Sequence, residues 1–438
     1  MAYGGQGVAR VDNFVVFVEN GYPGDMADIV IRKIKGNYAE SQIVTIEEPS
    51  PNRIPAVCEH FGICGGCRWQ NLDYKIQLQY KESQVKESLG HIANFQNPPV
   101  ERIIPADPLF YYRNKMEYSF HIDRDDKLLL GLHVGGKYQD IFQLNKCHLQ
   151  SEISNEIVRF VREKAIELGL PPYHVVTHEG FLRFLVVREA KFTGEFLVNF
   201  VTGSAQYEGL ESLASMLTEK FSQIKSVSHT VNSEKANIAR GAFKSVLRGG
   251  EFIYEKLGSK KYRISANSFF QTNSFQAKKL YDLAIELGQP QKSETMLDLY
   301  TGTGSIAIYF SDHVRSVTGI EIVQSAIDDA TANAEINGAS NCRFVLASVE
   351  NYFKENAESQ AIDLMVLDPP RAGCHPHAIK GILKIKPQKI IYISCNPTTL
   401  ARDLKGLCEN DYQLDKIIPV DLFPHTFHIE SISRLSLK

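Results

Sequence analysis

The sequence predicts an α/β protein with a doubly wound parallel sheet at its C-terminal end, an α+β middle region and a small OB-like β-barrel at its N-terminus. From about residue 265, helical and strand-like segments alternate, which is the pattern of a parallel sheet with crossover helices. Residues 1–50, by contrast, read as short β-branched and aromatic strands. Two short motifs also close apolar runs near the C-terminus: Asp368-Pro369-Pro370-Arg371 after Ile362 to Leu367, and Ser394-Cys395-Asn396-Pro397 after Ile390 to Ile393. In an open α/β sheet, ligands bind beyond the carboxyl ends of the strands. Both motifs should therefore face one cleft, bringing an acid and a thiol to it.

At 438 residues the chain is too long for one compact core. Three domains are expected: 1–50 as the barrel, 51–262 as the central domain and 263–438 as the doubly wound domain. The 43% apolar content is ordinary for a folded protein. No apolar run approaches the ~18 residues that span a bilayer, and Met1-Ala2-Tyr3-Gly4-Gly5 does not open a signal peptide. A cytoplasmic, monomeric protein without a membrane partner is expected. Net charge is −3, from 48 basic and 51 acidic residues, so a nucleic-acid partner would need a local basic face.

In the barrel, Val8 to Val11 and Phe14 to Val18 flank the turn Asp12-Asn13. Gly21-Tyr22-Pro23-Gly24 makes the next turn, and Ala27 to Ile34 and Gln42 to Glu47 follow as strands. Such a barrel normally has one more strand before Gly4-Gly5-Gln6-Gly7, so either the start is misassigned or the barrel lacks its first strand. Ser50 to Pro55 is a linker by composition, and Tyr74 to Leu89 reads as a helix with few apolar positions. Further on, Ile157 to Leu168 has helical spacing, while Phe181 to Glu189 and Glu195 to Val201 read as strands. Phe110 to Tyr118 interleaves aromatics with cations, which suits base stacking as well as an ordinary half-wet strand.

The alternating part runs through a helix at Phe275 to Leu287, a buried strand at Thr295 to Leu299, a helix opening at Ile306 to Phe310 and a strand at Ser316 to Glu321. A helix at Ala326 to Asn337 and strands at Cys342 to Leu346 and Asp363 to Leu367 complete it. Between the first strand and its helix lies Tyr300-Thr301-Gly302-Thr303-Gly304-Ser305. Its glycines permit positive φ and close approach to a ligand, and the segment also fits a relaxed dinucleotide fingerprint. Glu321 could bind a ribose in either case. Asp298, just before the loop, suits a cationic cofactor better than a pyrophosphate, which favours S-adenosylmethionine over NAD.

Of the eight cysteines, Cys58, Cys64 and Cys67 crowd one stretch and Cys147 follows at a distance. Four thiolates suit either a tetrahedral zinc or an iron–sulfur cluster. A trio plus a distant fourth is unlike the two close pairs usual for zinc, and spacing alone leaves both open.

The paired C-terminal motifs resemble those of the RNA uracil-C5 methyltransferases, and the resemblance runs over essentially residues 4–438. It implies a TRAM-like barrel, a central RNA-binding domain and a Rossmann-like class I methyltransferase domain. The segment Cys58 to Gln70 is similar to the [4Fe-4S] loop of these enzymes, which implies Cys58, Cys64, Cys67 and Cys147 as ligands in a structural role. Asn267-Ser268-Phe269-Phe270-Gln271-Thr272-Asn273 is similar to the family segment whose Gln contacts the cofactor. By resemblance Gln271, Tyr300, Ser305, Glu321, Ser348 and Asp368 contact S-adenosylmethionine. Ser348 departs from the pattern, since an acidic or amide side chain is commoner there.

Uracil C5 is a poor nucleophile until a thiolate adds to C6. The reaction therefore needs one cysteine and one base. The resemblance implies Cys395 as nucleophile, and Cys395 at a strand end, with backbone amides nearby, is read as placed for activation. The alternative is a buried core thiol, as expected for Cys342, Cys374 and Cys408. Phe423 to Glu430 resembles the family's second fingerprint and implies Glu430 as proton acceptor, although His425 and His428 have the more suitable free pKa. Layout favours 23S rRNA as substrate, with a tRNA T-loop uridine as the alternative. Two rivals of other classes are a silent RNA-binding protein and an iron–sulfur oxidoreductase using NAD or flavin.

Overall fold

The computed structural model describes residues 1–438 except 126, 138, 205–206, 357–360 and 410. Two compact units emerge: residues 1–62, 66–109 and 368–438 form the first, and residues 63–65 and 110–367 the second.

The first unit opens with β1 (Gly7–Val11), β2 (Phe14–Glu19), β3 (Met26–Lys35) and β4 (Tyr38–Glu48), in the order β1-β2-β4-β3. Asp12 and Asn13 both adopt positive φ, 48° and 66°, the backbone a two-residue hairpin of this twist requires. Val16, Val18 and Ala39 form its core, with Phe14 and Ile43 packed against them. The turn at Tyr22 is fixed by Asp25, which pairs with Arg53 at 2.6 Å, while the Arg53 guanidinium lies 4.3 Å from the Tyr22 ring.

Helix α1 (Tyr74–Ile92) follows, capped by Asp73, whose side chain accepts the Lys75 N–H. Its weak apolar pattern has a physical reason. Gln77, Lys81, Gln84 and Ser88 are buried beside Val85 and Leu89, so this face is polar by use.

In the second unit, β5 (Lys115–Ile122), β6 (Leu128–His133), β7 (Ile141–Gln143), α2 (Glu152–Glu167), β8 (Leu182–Glu189), β9 (Phe196–Thr202), α3 (Leu210–Lys220), β10 (Ile224–Val231) and β11 (Ala242–Gly249) build a seven-stranded sheet. Its order is β11-β10-β9-β8-β5-β6-β7. The aromatic–cationic segment is largely structural here. Tyr112 and Tyr118 are fully buried, while Tyr111 stays exposed. His229 and Asn232 are structural too: His229 meets the Thr202 hydroxyl at 2.7 Å, and Arg183 donates to the carbonyls of Asn232, Glu234 and Ala236.

A hairpin of β12 (Ile253–Leu257) and β13 (Lys260–Ile264) leads to α4 (Ser274–Gly288), β14 (Thr295–Leu299), α5 (Ser305–Phe310), β15 (Ser316–Glu321), α6 (Gln324–Ile336), β16 (Cys342–Leu346), α7 (Val349–Asn356) and β17 (Leu364–Leu367). The four strands from β14 to β17 are parallel in the order β16-β15-β14-β17. The expected alternation is present, with strand ends within a residue of those read from the sequence.

The chain closes in the first unit with α8 (Pro376–Ile385), β18 (Lys389–Ser394), α9 (Pro397–Cys408), β19 (Tyr412–Val420) and β20 (Glu430–Leu437). Strand β20 lies antiparallel between β18 and β19. This departs from simple parallel winding: β20 enters from the opposite direction and delivers its first residue, Glu430, to the end of β18. Among the described residues, no helix is long and apolar enough to cross a membrane.

Candidate active site

In the second unit, the turn after β14 is built as a ligand cradle. Tyr300, Gly302 and Gly304 adopt φ of 63°, 56° and 75°. A Cβ on Gly302 would meet nothing within 4 Å, so the turn faces open space there. At Gly304 a Cβ would lie 2.9 Å from the Phe344 ring and 3.0 Å from Ala330, so only glycine lets α5 pack this closely.

Asp298 braces the loop by accepting the Thr301 hydroxyl, and the Thr301 N–H donates to Ile320 O at 3.0 Å. Glu321, at the end of β15, accepts the N–H groups of Gly302 (3.1 Å), Ile322 (2.8 Å) and Val323 (3.0 Å). Its carboxylate is thereby fixed beside the turn. Ser305 opens α5, its hydroxyl 3.0 Å from that of Tyr281. Gln271 is anchored through its carbonyl, which accepts from Asn114 Nδ2 at 2.8 Å. Ser348 accepts the Asn351 N–H at 3.2 Å, so its hydroxyl caps α7. Gln271, Tyr300, Ser305, Glu321 and Ser348 are all half-buried, as ligand-facing side chains are. The cradle and its fixed carboxylate fit a cationic adenosyl cofactor.

In the first unit, the two strand-end motifs meet. Asn396 caps α9 by accepting the Thr398 N–H at 3.0 Å, while its Nδ2 donates to Arg371 O at 3.1 Å. Thr399 donates to the same carbonyl at 3.3 Å. The Asp368–Arg371 loop is thus clamped to the residues that follow Cys395. Buried Asp403 holds the far side, accepting the Cys374 N–H and the Tyr392 hydroxyl, each at 2.7 Å.

The antiparallel register pairs Ser394 with Ser431. Cys395 and Glu430 come one step beyond that pair, on the two strands, and so lie against each other. Glu430 is 3% exposed, which for a carboxyl decides its state: burial, reinforced by the Asp368 charge, raises its pKa well above the carboxylate range, against the pull of Arg371. Burial likewise pushes the Cys395 thiol up to about 11, with Glu430 and Asp368 adding to the effect and Arg371 opposing it. These shifts run against the expected activation. The neighbouring backbone amide is outweighed by burial and two carboxyls.

Burial lowers His425 to about 4, so it is neutral and not a resting acid. Its N–H donates to Gln77 Oε1 at 2.9 Å and its carbonyl accepts the Trp69 N–H at 3.0 Å, so it shapes the loop. His428 Nδ1 lies 2.5 Å from Arg371 Nη2 and, facing a permanent donor, must accept. Arg371, missed as a site residue in the sequence, is the cation facing Cys395, Glu430 and Asp368. Its place in the Asp-Pro-Pro-Arg motif was the available signal.

The four clustered cysteines are divided between the two units. Cys58 and Cys67 belong to the first unit, Cys64 and Cys147 to the second. Cys58 N–H donates to Gln70 Oε1, Cys64 bridges to Val134, and Cys147 is buried with its N–H on Asn155 Oδ1. Among the described residues, no group of three or more His, Cys, Asp or Glu is arranged to hold a metal ion. The donor chemistry fits a cluster, and no chemical step is routed through one.

A Rossmann-like fold with a glycine cradle, an acidic strand end and a thiol set against a buried carboxyl defines a methyltransferase of the class that acts on a pyrimidine ring. Comparison with known proteins agrees. Residues 211–437 match the family tRNA (Uracil-5-)-methyltransferase, and residues 2–44 match the TRAM domain. The chain is 38% identical to an uncharacterized RNA methyltransferase of Chlorobaculum tepidum, across 94% of this chain and 89% of that protein. It is also 38% identical to one of Caldanaerobacter subterraneus, across 99% and 96%. Among solved structures, the Pyrococcus abyssi tRNA (uracil-54, C5)-methyltransferase in complex with S-adenosyl-L-homocysteine superposes with a TM-score of 0.77 at 31% identity, covering 98% of this chain and all of that one.

The chain belongs to the tRNA (uracil-5-)-methyltransferase family, S-adenosylmethionine-dependent enzymes acting on RNA. Neither the silent RNA-binding reading nor the NAD- or flavin-linked oxidoreductase draws support from these matches.

Proposed function

We propose that the protein methylates C5 of one specific uridine in 23S rRNA, with Cys395 as nucleophile and Glu430 as base, working as a cytoplasmic monomer. The observation that carries this reading is the register setting Cys395 against the buried Glu430. The Cys395 thiolate bonds to uracil C6, and the C5–C6 electron pair moves towards O4 as an enolate. Gln271, Tyr300, Ser305, Glu321, Ser348 and Asp368 would hold S-adenosylmethionine, which would supply the electrophilic methyl for C5, its sulfonium S–CH3 bond breaking to leave S-adenosylhomocysteine. Glu430, having first given its resting proton to solvent, removes the C5 proton, the double bond re-forms, and the S–C6 bond breaks to release Cys395. A carboxylate whose pKa burial has raised is a stronger base once ionised. Because C6 is inaccessible within a stacked helix, the target uridine must be unstacked and turned outward.

A tRNA uridine is the second reading, favoured by the Pyrococcus abyssi enzyme, whose length this chain matches in full. The Cys58, Cys64, Cys67 and Cys147 thiols enter as ligands of a [4Fe-4S] cluster on donor chemistry alone. Iron and sulfide assay of anaerobically purified protein tests that part, and protein without either refutes it.

The deciding experiment is methyl transfer from labelled cofactor into undermethylated total RNA, with the modified fragment located by mass spectrometry. 5-Methyluridine in a 23S fragment is the expected result, and in tRNA it overturns the substrate alone. Cys395→Ala should abolish turnover while S-adenosylhomocysteine still binds. Loss of both together would make Cys395 structural.

A further inference from the structure

The N-terminal turn of the TRAM domain is fastened next to the catalytic residues. Ala2 N–H donates to Gln6 O at 2.9 Å and Gly5 N–H to Ala2 O at 3.1 Å, closing a tight turn with Tyr3 on it. Gln84 of α1 donates to Ala2 O at 3.0 Å, and the Trp69 indole N–H reaches Gly5 O at 3.4 Å. A Cβ on Gly5 would lie 3.1 Å from Phe427 Cβ, and Met1 packs on the Tyr22, Trp69 and Leu72 cluster. Phe427 belongs to the loop that ends in Glu430. The polar face of α1 therefore holds both ends: Gln84 the turn, Gln77 and Lys81 the loop.

Tyr3 is half-buried, and the charges its phenol senses are those of Arg371, Cys395 and Glu430. The mechanism uses Cys395 and Glu430, yet assigns nothing to Tyr3. We propose that Tyr3, carried by the TRAM domain, is a wall of the uridine pocket that contacts the target base and holds it for attack by Cys395. A tyrosine suits this place, because its ring stacks on a pyrimidine while its hydroxyl donates to a base carbonyl. Burial raises the phenol above its ordinary pKa, so the hydroxyl keeps its proton and remains a donor. The inference rests on the uracil-C5 reading and extends it by giving the N-terminal domain a residue at the reacting base.

The test compares Tyr3→Ala and Tyr3→Phe with the unsubstituted enzyme on undermethylated total RNA, alongside calorimetric binding of S-adenosylhomocysteine and thermal melting. Adduct formation with total RNA substituted with 5-fluorouridine is followed on denaturing gels. Tyr3→Ala should raise KM for RNA and slow adduct formation by about 5- to 150-fold, the range base–aromatic stacking supplies. Cofactor binding and melting should not move. Tyr3→Phe, which keeps the ring, should recover most of the KM. An alanine variant within twofold of normal overturns the inference. So does one that loses melting temperature and cofactor affinity along with activity while Tyr3→Phe behaves normally in every assay, since that is a packing role. No Cys395-dependent transfer by the unsubstituted enzyme would instead overturn the reading beneath it.

Discussion

Asp421→Ala should be among the most damaging single substitutions in the first unit. Its carboxylate is fully buried and accepts from Lys81 Nζ at 2.7 Å, the Tyr74 hydroxyl at 2.9 Å and the Phe423 N–H at 3.1 Å. Lys81 is equally buried, and its other acceptor is Phe423 O at 3.1 Å. Removing the carboxylate strands an ammonium group without its counter-charge, which costs about 3–5 kcal/mol. For a domain of 150–250 residues, at ~2–4 °C per kcal/mol, that is a fall of roughly 6–20 °C in Tm. Adding Lys81→Met removes the stranded charge, leaving the Tyr74 and Phe423 donors short of an acceptor at ~1–3 kcal/mol each. The double variant should therefore be more stable than Asp421→Ala alone. Urea unfolding with linear extrapolation measures both. A loss below about 1 kcal/mol for Asp421→Ala, or a double variant no better than the single, would refute the reasoning. Since this pair pins the loop leading to Glu430, turnover should fall in Asp421→Ala well below its melting temperature.

Alkylation of Cys395 by iodoacetamide in the free enzyme should still be rising towards pH 11. With the thiol near 11, about one molecule in 10^4 is ionised at pH 7, roughly 300-fold fewer than for a free cysteine. The greater nucleophilicity of a basic thiolate returns about tenfold, leaving a net rate some 20- to 30-fold slow. A mass-spectrometric alkylation profile with a midpoint below 9 would contradict this. Glu430→Gln should move that midpoint down, because it removes an ionisable carboxyl that disfavours the thiolate; an upward move would give Glu430 the opposite role. Gly304→Ala should weaken S-adenosylhomocysteine binding by tenfold or more, since its Cβ meets Phe344 at 2.9 Å and its φ is 75°. Calorimetry showing unchanged affinity would detach the cradle from the cofactor.

The parallel strands and the glycine turn were legible because buried strands and positive-φ glycines leave local marks. Thr295–Leu299 is buried throughout, and its Met296, Leu297 and Leu299 mark it as a core strand despite Asp298. What the sequence concealed was set by partners far along the chain. Helix α1 looked weakly amphipathic, because hydropathy scores Gln77, Lys81 and Gln84 as surface residues. Only their partners at Trp69, Asp421 and Ala2 justify burying them. Strands β19 and β20 went unread as well, though their pairing is what puts Glu430 against Cys395. Arg371 was marked only by its place in the Asp-Pro-Pro-Arg motif, and Tyr3 had no local pattern to mark it.

Cys395 shows most clearly where motif and physics part. The motif implies a nucleophile, from which a lowered pKa would be expected, yet the surroundings push both the thiol and Glu430 up from their ordinary values. Each is raised by burial and by negative charge in the same small space, against which Arg371 is the opposing charge. Such a site is inert towards stray electrophiles until something positive or hydrogen-bond-donating arrives. A cationic or hydrogen-bond-donating ligand arriving beside Asp368 would offset one of the charges holding the proton on Cys395. On this reading the nucleophile is made by the ligands and is not stored in the resting enzyme. Burial then does two jobs, silencing the thiol at rest and giving Glu430 the basicity to take the C5 proton later.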